Sequence, residues 1–144
     1  MVFKYYASTT TKVVYVDNSK LFENFTMTRE LKISAEREFN IMKTNTDSLF
    51  NRLQNPQNSG SQKKGLMLQF LQSKENLEKF NENFASDQSL KIWARIKSYS
   101  LEFSQENNYD LIIGSEKTNI LFASEKIDVT NELLTYINKK YEGI

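Results

Sequence analysis

Asp17 and Asp110 stand at the ends of short runs of β-branched and aromatic residues, where an enzyme would place a general acid or base. Neither has a partner for that work. The chain of 144 residues contains no His and no Cys, which removes imidazole bases, thiolate nucleophiles, disulfides and the usual zinc sites. A metal would have to be a hard cation held by oxygen ligands, and no ligand set is assigned. Gly60 and Gly65 flank Lys63 and Lys64, but no Gly-Lys-Ser/Thr follows, so there is no phosphate loop. Asp17, followed by Asn18 and Ser19, reads better as a helix cap. The expectation is a protein that is not an enzyme, with no catalytic residue, metal or cofactor.

A different chemistry sits in the middle of the chain. Between Asp47 and Glu75 there is no acidic residue, while Arg52, Lys63, Lys64 and Lys74 are basic. Interleaved with them are Phe50, Met67, Leu68 and Leu71. An apolar patch with a cationic rim suits weak, multivalent capture of non-native protein, because Met and Leu adapt to many apolar sequences and the rim attracts acidic chains. These eight residues are the candidate client-binding set. The competing reading covers Leu68 and Leu71 with another subunit or a third helical layer.

The elements that carry this patch must be long helices. Only four Gly and one Pro occur, so the turn punctuation of a multi-stranded β fold is missing. Hydrophobic residues make up 39% and mean hydropathy is −0.58, which suits an elongated molecule better than a sphere of this length. Nineteen basic against eighteen acidic residues give a net charge of +1, so no global electrostatic case for nucleic acid exists.

From Thr26 to about Asn55, apolar positions fall at Ala35, Phe39, Met42, Thr46, Leu49 and Leu53, in alternating steps of four and three with Thr46 the polar member. That is a heptad seam. Pro56 to Gln62 is a turn, and a second seam follows at Leu66, Phe70, Ser73, Leu77, Phe80 and Phe84. Two seams of equal period joined by a polar turn fold back as an antiparallel hairpin. After Phe84 the stripe shifts to Ile92, Ile96, Tyr99 and Phe103, with Trp93 and Leu101 alongside, as when a helix leaves one partner for another. The return helix should end near Asn107 and Asn108 after about 45 residues, roughly 65 Å.

Strands are expected at 12–16, 109–113 and 119–123, the last two around the turn 114–118. Asp128 should cap a final amphipathic helix over 129–141, with Leu133, Leu134 and Ile137 inward. The fold class is therefore α+β and mostly helical: a small three-stranded body at 12–27 and 104–144, and a coiled-coil hairpin arm at 28–103 with its tip at 55–64. Trp93 should plug the junction of arm and body. Residues 1–11 form either a flexible leader or the stub of an N-terminal membrane anchor; the aromatics Phe3, Tyr5 and Tyr6 beside Lys4 suit a membrane interface.

The ends of the chain carry a resemblance. Lys12-Val13-Val14-Tyr15-Val16-Asp17 followed by Leu21-Phe22 is similar to the opening of the Skp/OmpH family of periplasmic chaperones. Tyr109-Asp110-Leu111-Ile112-Ile113, then Ile120-Leu121-Phe122-Ala123, then Asp128-Val129-Thr130 resembles that family's closing segment. The resemblance implies a homotrimer whose bodies join through their strands, with Val14, Val16, Leu111, Ile113, Leu121 and Phe122 at the interface. It further implies hairpins that surround a cavity and hold unfolded outer-membrane proteins in the periplasm without ATP. The chain is nearly neutral where the family's chaperones are often strongly basic. The alternative function is a non-chaperone trimer that docks one specific partner in an envelope assembly.

Overall fold

The computed structural model describes residues 10–144. The leader or anchor stub expected at 1–11 therefore lies, but for its last two residues, outside the described residues. In chain order the elements are β1 (Val13–Asp17), α1 (Asn18–Asn24), α2 (Thr26–Leu53), α3 (Gly60–Asn107), β2 (Leu111–Ser115) and α4 (Thr130–Glu142), with short 3-10 turns at Lys117–Asn119 and Glu125–Ile127. The chain divides into two compact units. One comprises residues 10–28 with Trp93–Ile144; the other is Arg29–Ile92. The return helix changes unit at Trp93, close to where its stripe leaves heptad spacing, rather than at 104.

In the first unit β1 pairs with β2 in parallel, Val13 opposite Leu111 through Asp17 opposite Ser115. A parallel pair needs a long crossover, and here α1, α2 and α3 together supply it. Val14, Tyr15 and Val16 are buried in succession, so both faces of β1 are covered. Asp17 behaves as its position predicts: its carboxylate accepts the Lys20 N–H at 3.1 Å at the start of α1. Its own N–H donates to Thr130 Oγ1 at 2.9 Å, tying β1 to α4. Asp110 is also occupied by backbone, accepting the Lys12 N–H at 2.7 Å.

The expected strand at 119–123 does not form. The described sheet has two strands, and the chain instead passes through the two 3-10 turns. A strand requires a neighbouring edge to hydrogen-bond, and composition alone cannot supply one. The second edge of β1 is taken by a later segment: Tyr15 bridges Asp128, and Val129 N–H donates to Tyr15 O at 3.0 Å. Asp128 then accepts the Thr130 N–H at 3.0 Å just ahead of α4.

The core of this unit is aromatic and aliphatic. Leu21, Phe25, Leu133 and Ile137 are fully buried, with Ile96 and Phe103 of α3 beside them in the buried set. Phe22 stacks on Trp93 at 5.5 Å between ring centroids. Leu101, expected alongside the α3 stripe, is exposed. The start of α2 is capped from a distant element: Asn138 Oδ1 accepts the Thr26 N–H at 2.8 Å and Glu142 accepts the Thr26 hydroxyl at 2.7 Å. Along α4, Tyr136 donates to Glu106 at 2.7 Å and Lys140 to Glu102 at 2.9 Å; the Glu102 carboxylate, then the Tyr136 hydroxyl, hold the ammonium above its ordinary range. Asn108 ends α3 with φ 55° and Gly143 ends α4 with φ 77°, both in the left-handed region that closes helices.

The second unit is the hairpin. All twelve seam positions are buried or half-buried, while the residues between them are almost all exposed. One bond fixes the register: Thr46 Oγ1 and Ser73 Oγ lie 2.6 Å apart. With that pair level, heptad steps set Leu49 against Phe70, Leu53 against Leu66, Met42 against Leu77, Phe39 against Phe80 and Ala35 against Phe84. The ring of Phe50 lies 5.6 Å from that of Phe70, in agreement.

Gly65 sits inside α3, and a Cβ there would meet nothing within 4 Å. Gly65→Ala should therefore stabilise the hairpin by about 0.5–1 kcal/mol, read as a raised denaturation midpoint.

Candidate client-binding surface

The loop between α2 and α3 covers residues 54–59, so α3 starts inside the segment expected as tip. Its order comes from side chains that satisfy helix ends. Asn58 Nδ2 donates to Arg52 O at 2.7 Å, closing α2, and Gln57 N–H donates to Asn55 Oδ1 at 3.0 Å. At the start of α3, Ser59 N–H donates to Gln62 Oε1 at 2.8 Å and Gln62 N–H donates to Ser59 Oγ at 3.3 Å. That reciprocal pair is a capping box, legible as Ser-x-x-Gln in the sequence but not used there. It moves the helix start to Gly60.

The helix so placed carries no acidic residue in its first turn, and Lys63 and Lys64 follow directly. Cations near a helix N-terminus oppose the macrodipole, worth about 0.3–1 kcal/mol each at most in the first turn. The C-terminus of α2 meets the same loop and its dipole offsets that of α3, so the positive charge of the loop end is that of its basic side chains. Arg52 closes α2, where a cation is favourable. Lys74 is exposed, and the carboxylate next to it in sequence, Glu75, is engaged by Lys79 at 2.6 Å. The Lys79 hydrogen bond holds the Glu75 carboxyl below its ordinary range.

Of the expected apolar members, Leu68 is 62% exposed, Leu71 52%, Met67 46% and Phe50 46%. Phe50 is the most committed, because its ring rests against Phe70. Leu68 and Leu71 lie on one face of α3 by their spacing and are uncovered. The eight expected residues thus share the loop-side half of one hairpin. Sequence reasoning missed Ile33 and Ile41, 59% and 57% exposed along a shallow groove on α2 with Arg37 and Thr44. The signal was available: both lie off the seam steps around Ala35, Phe39 and Met42.

The six residues expected at a subunit interface divide differently. Val14 and Val16 are buried inside their own chain. Leu111 and Ile113 are about half exposed, and Leu121 and Phe122 project fully.

No helix among the described residues is long and apolar enough to cross a membrane. A comparison with curated proteins finds no match. Residues 12–137 match the family described as outer membrane protein (OmpH-like), a span that takes in β1, the whole hairpin, β2 and most of α4. Matched over nearly its entire length, with both terminal motifs inside the match, the chain belongs to the OmpH-like family.

Proposed function

We propose that this protein is an ATP-independent holdase of the periplasm that grips unfolded outer-membrane proteins with its helical hairpins. The OmpH-like family is associated with chaperones of outer-membrane proteins, is generally non-enzymatic, and has periplasmic members. The observation that carries the reading is the uncovered Met67, Leu68 and Leu71 beside Arg52, Lys63 and Lys64, on a segment without a single carboxylate. A single exposed Leu is ordinary, but neighbouring apolar side chains clustered beside a cationic segment mark an interaction surface. Each such contact is weak, and several hairpins acting together raise the avidity.

Self-association supplies those several hairpins. Leu121 and Phe122, with the edge of β2 at Leu111 and Ile113 that no strand among the described residues pairs, form the apolar surface we assign to the trimer contact. Because Leu121 makes no demand on its own chain's core, Leu121→Asp should leave each chain folded while an unpaired charge at the contact dissociates the assembly. Light scattering should show mass falling from trimer to monomer; a trimer mass for the variant would remove this segment from the interface.

The function is tested by mixing the trimer with several unrelated β-barrel proteins diluted from denaturant. A holdase suppresses aggregation of all of them near one trimer per client. Indifference to them, with one envelope protein co-purifying at fixed stoichiometry, would establish the adaptor reading instead, which the near-neutral charge of +1 favours.

A further inference from the structure

The polar layer in the middle of the hairpin has a feature that heptad periodicity does not explain. Thr46 is the one buried residue among the described residues of α2, at 7% exposure, although apolar seam neighbours such as Met42 and Leu49 are only half-buried. Its hydroxyl donates to Met42 O at 2.9 Å. A threonine has one hydroxyl proton, so the 2.6 Å contact with Ser73 is donated by the serine. Both side chains are short. For their oxygens to meet, the backbones of α2 and α3 must approach more closely here than where Leu49 faces Phe70 or Met42 faces Leu77, because helix separation follows side-chain size at the contact.

We propose that Thr46 and Ser73 form a size-limited node, the point of closest approach that holds α2 and α3 together and keeps the loop-side half closed. The ordinary expectation for a polar residue in a heptad seam is the reverse: it lowers stability, and Leu in its place raises it. At this node volume decides, and the hydroxyls serve chiefly to let a small pair be buried without an unsatisfied group. The node lies one layer from the Phe50–Phe70 contact, so a forced separation there parts those rings and loosens the segment that presents Leu68 and Leu71.

Three variants of the full chain, followed by helical circular dichroism on heating, test the node. Thr46→Val with Ser73→Ala keeps the volume and removes both hydroxyls; its midpoint should move by less than about 3 °C. Ser73→Leu should lower the midpoint by about 4–10 °C and raise binding of a hydrophobic dye, as overpacking does. Thr46→Ala added to Ser73→Leu returns volume to the layer and should recover at least half of that loss. A rise in midpoint for Ser73→Leu overturns the proposal, as does a loss in the hydroxyl-free variant as large as the Leu variant's. Should Ser73→Leu fail to fold, recovery by Thr46→Ala carries the proposal and its absence refutes it.

Discussion

Phe25→Ala should lower the free energy of unfolding of the β-containing unit by about 3–5 kcal/mol, the range for deleting a fully buried aromatic. Phe25 is 0% exposed and occupies the single extended residue between α1 and α2, with φ −68° and ψ 129°. Its N–H closes α1 on Leu21 O at 3.0 Å, so its backbone position is fixed before its side chain is counted. The ring then meets Tyr99 of α3 at 6.5 Å and Tyr141 of α4 at 5.4 Å, both edge-on, each pair adding about 0.5–1.5 kcal/mol beyond area burial. Rings from α3 and α4 thus converge on one side chain at the junction of α1 and α2. A small unit has about 5–15 kcal/mol of stability in all, so the loss removes much of it. Denaturant unfolding should show a lower midpoint at unchanged slope, and Phe22→Ala, whose half-buried ring stacks on Trp93, should show a smaller loss. A Phe25→Ala loss below about 1 kcal/mol would mean that the site collapses around the gap and that the convergence is not the keystone of the core.

What the residues disclosed, and what they withheld, divides along the range of the forces involved. The heptad seams were legible because a 3.5-residue repeat is local: Ala35 through Leu53 and Leu66 through Phe84 each announce their own face. Thr46 and Ser73 could each be recognised as the polar member of a seam, but their meeting depends on a turn whose Ser59–Gln62 box sets where α3 begins. The short body segments were less legible. Residues 119–123 have strand-forming composition, yet strand formation is decided by which edge is vacant, and Asp128 and Val129 occupy the one beside β1. The cap on α2 comes from Asn138 and Glu142, more than a hundred residues downstream, where no local pattern points to it. The apolar patch was legible by subtraction, as residues the seam does not use, and the same subtraction applied to α2 identifies Ile33 and Ile41.

Leu68→Asp combined with Leu71→Asp should leave the proposed trimer intact and abolish most of the protection of unfolded clients proposed for it. Both side chains are more than half exposed, so the change asks little of the hairpin: a helix-propensity loss of about 0.5 kcal/mol at each position, and no cavity. The effect on binding is larger. Full burial of a Leu is worth about 1.5–3 kcal/mol, and a loose contact with a mobile client realises roughly half of that. Two lost contacts on each hairpin therefore amount to about 2 kcal/mol, or some 30-fold in affinity, before multivalency multiplies the loss across subunits. Residual binding should then depend on Arg52, Lys63 and Lys64 alone and should vanish on raising salt, since exposed charges are screened within a Debye length of about 8 Å at physiological ionic strength. Leu90→Asp is the control, because Leu90 is 71% exposed on the same helix but stands away from the basic segment. If Leu90→Asp abolishes protection as completely as the double variant, apolar exposure anywhere on α3 suffices and the loop-side patch loses its special role. If the double variant protects as well as the native chain at both salt concentrations, the gripping surface lies elsewhere, with the Ile33 and Ile41 groove of α2 the next surface to alter.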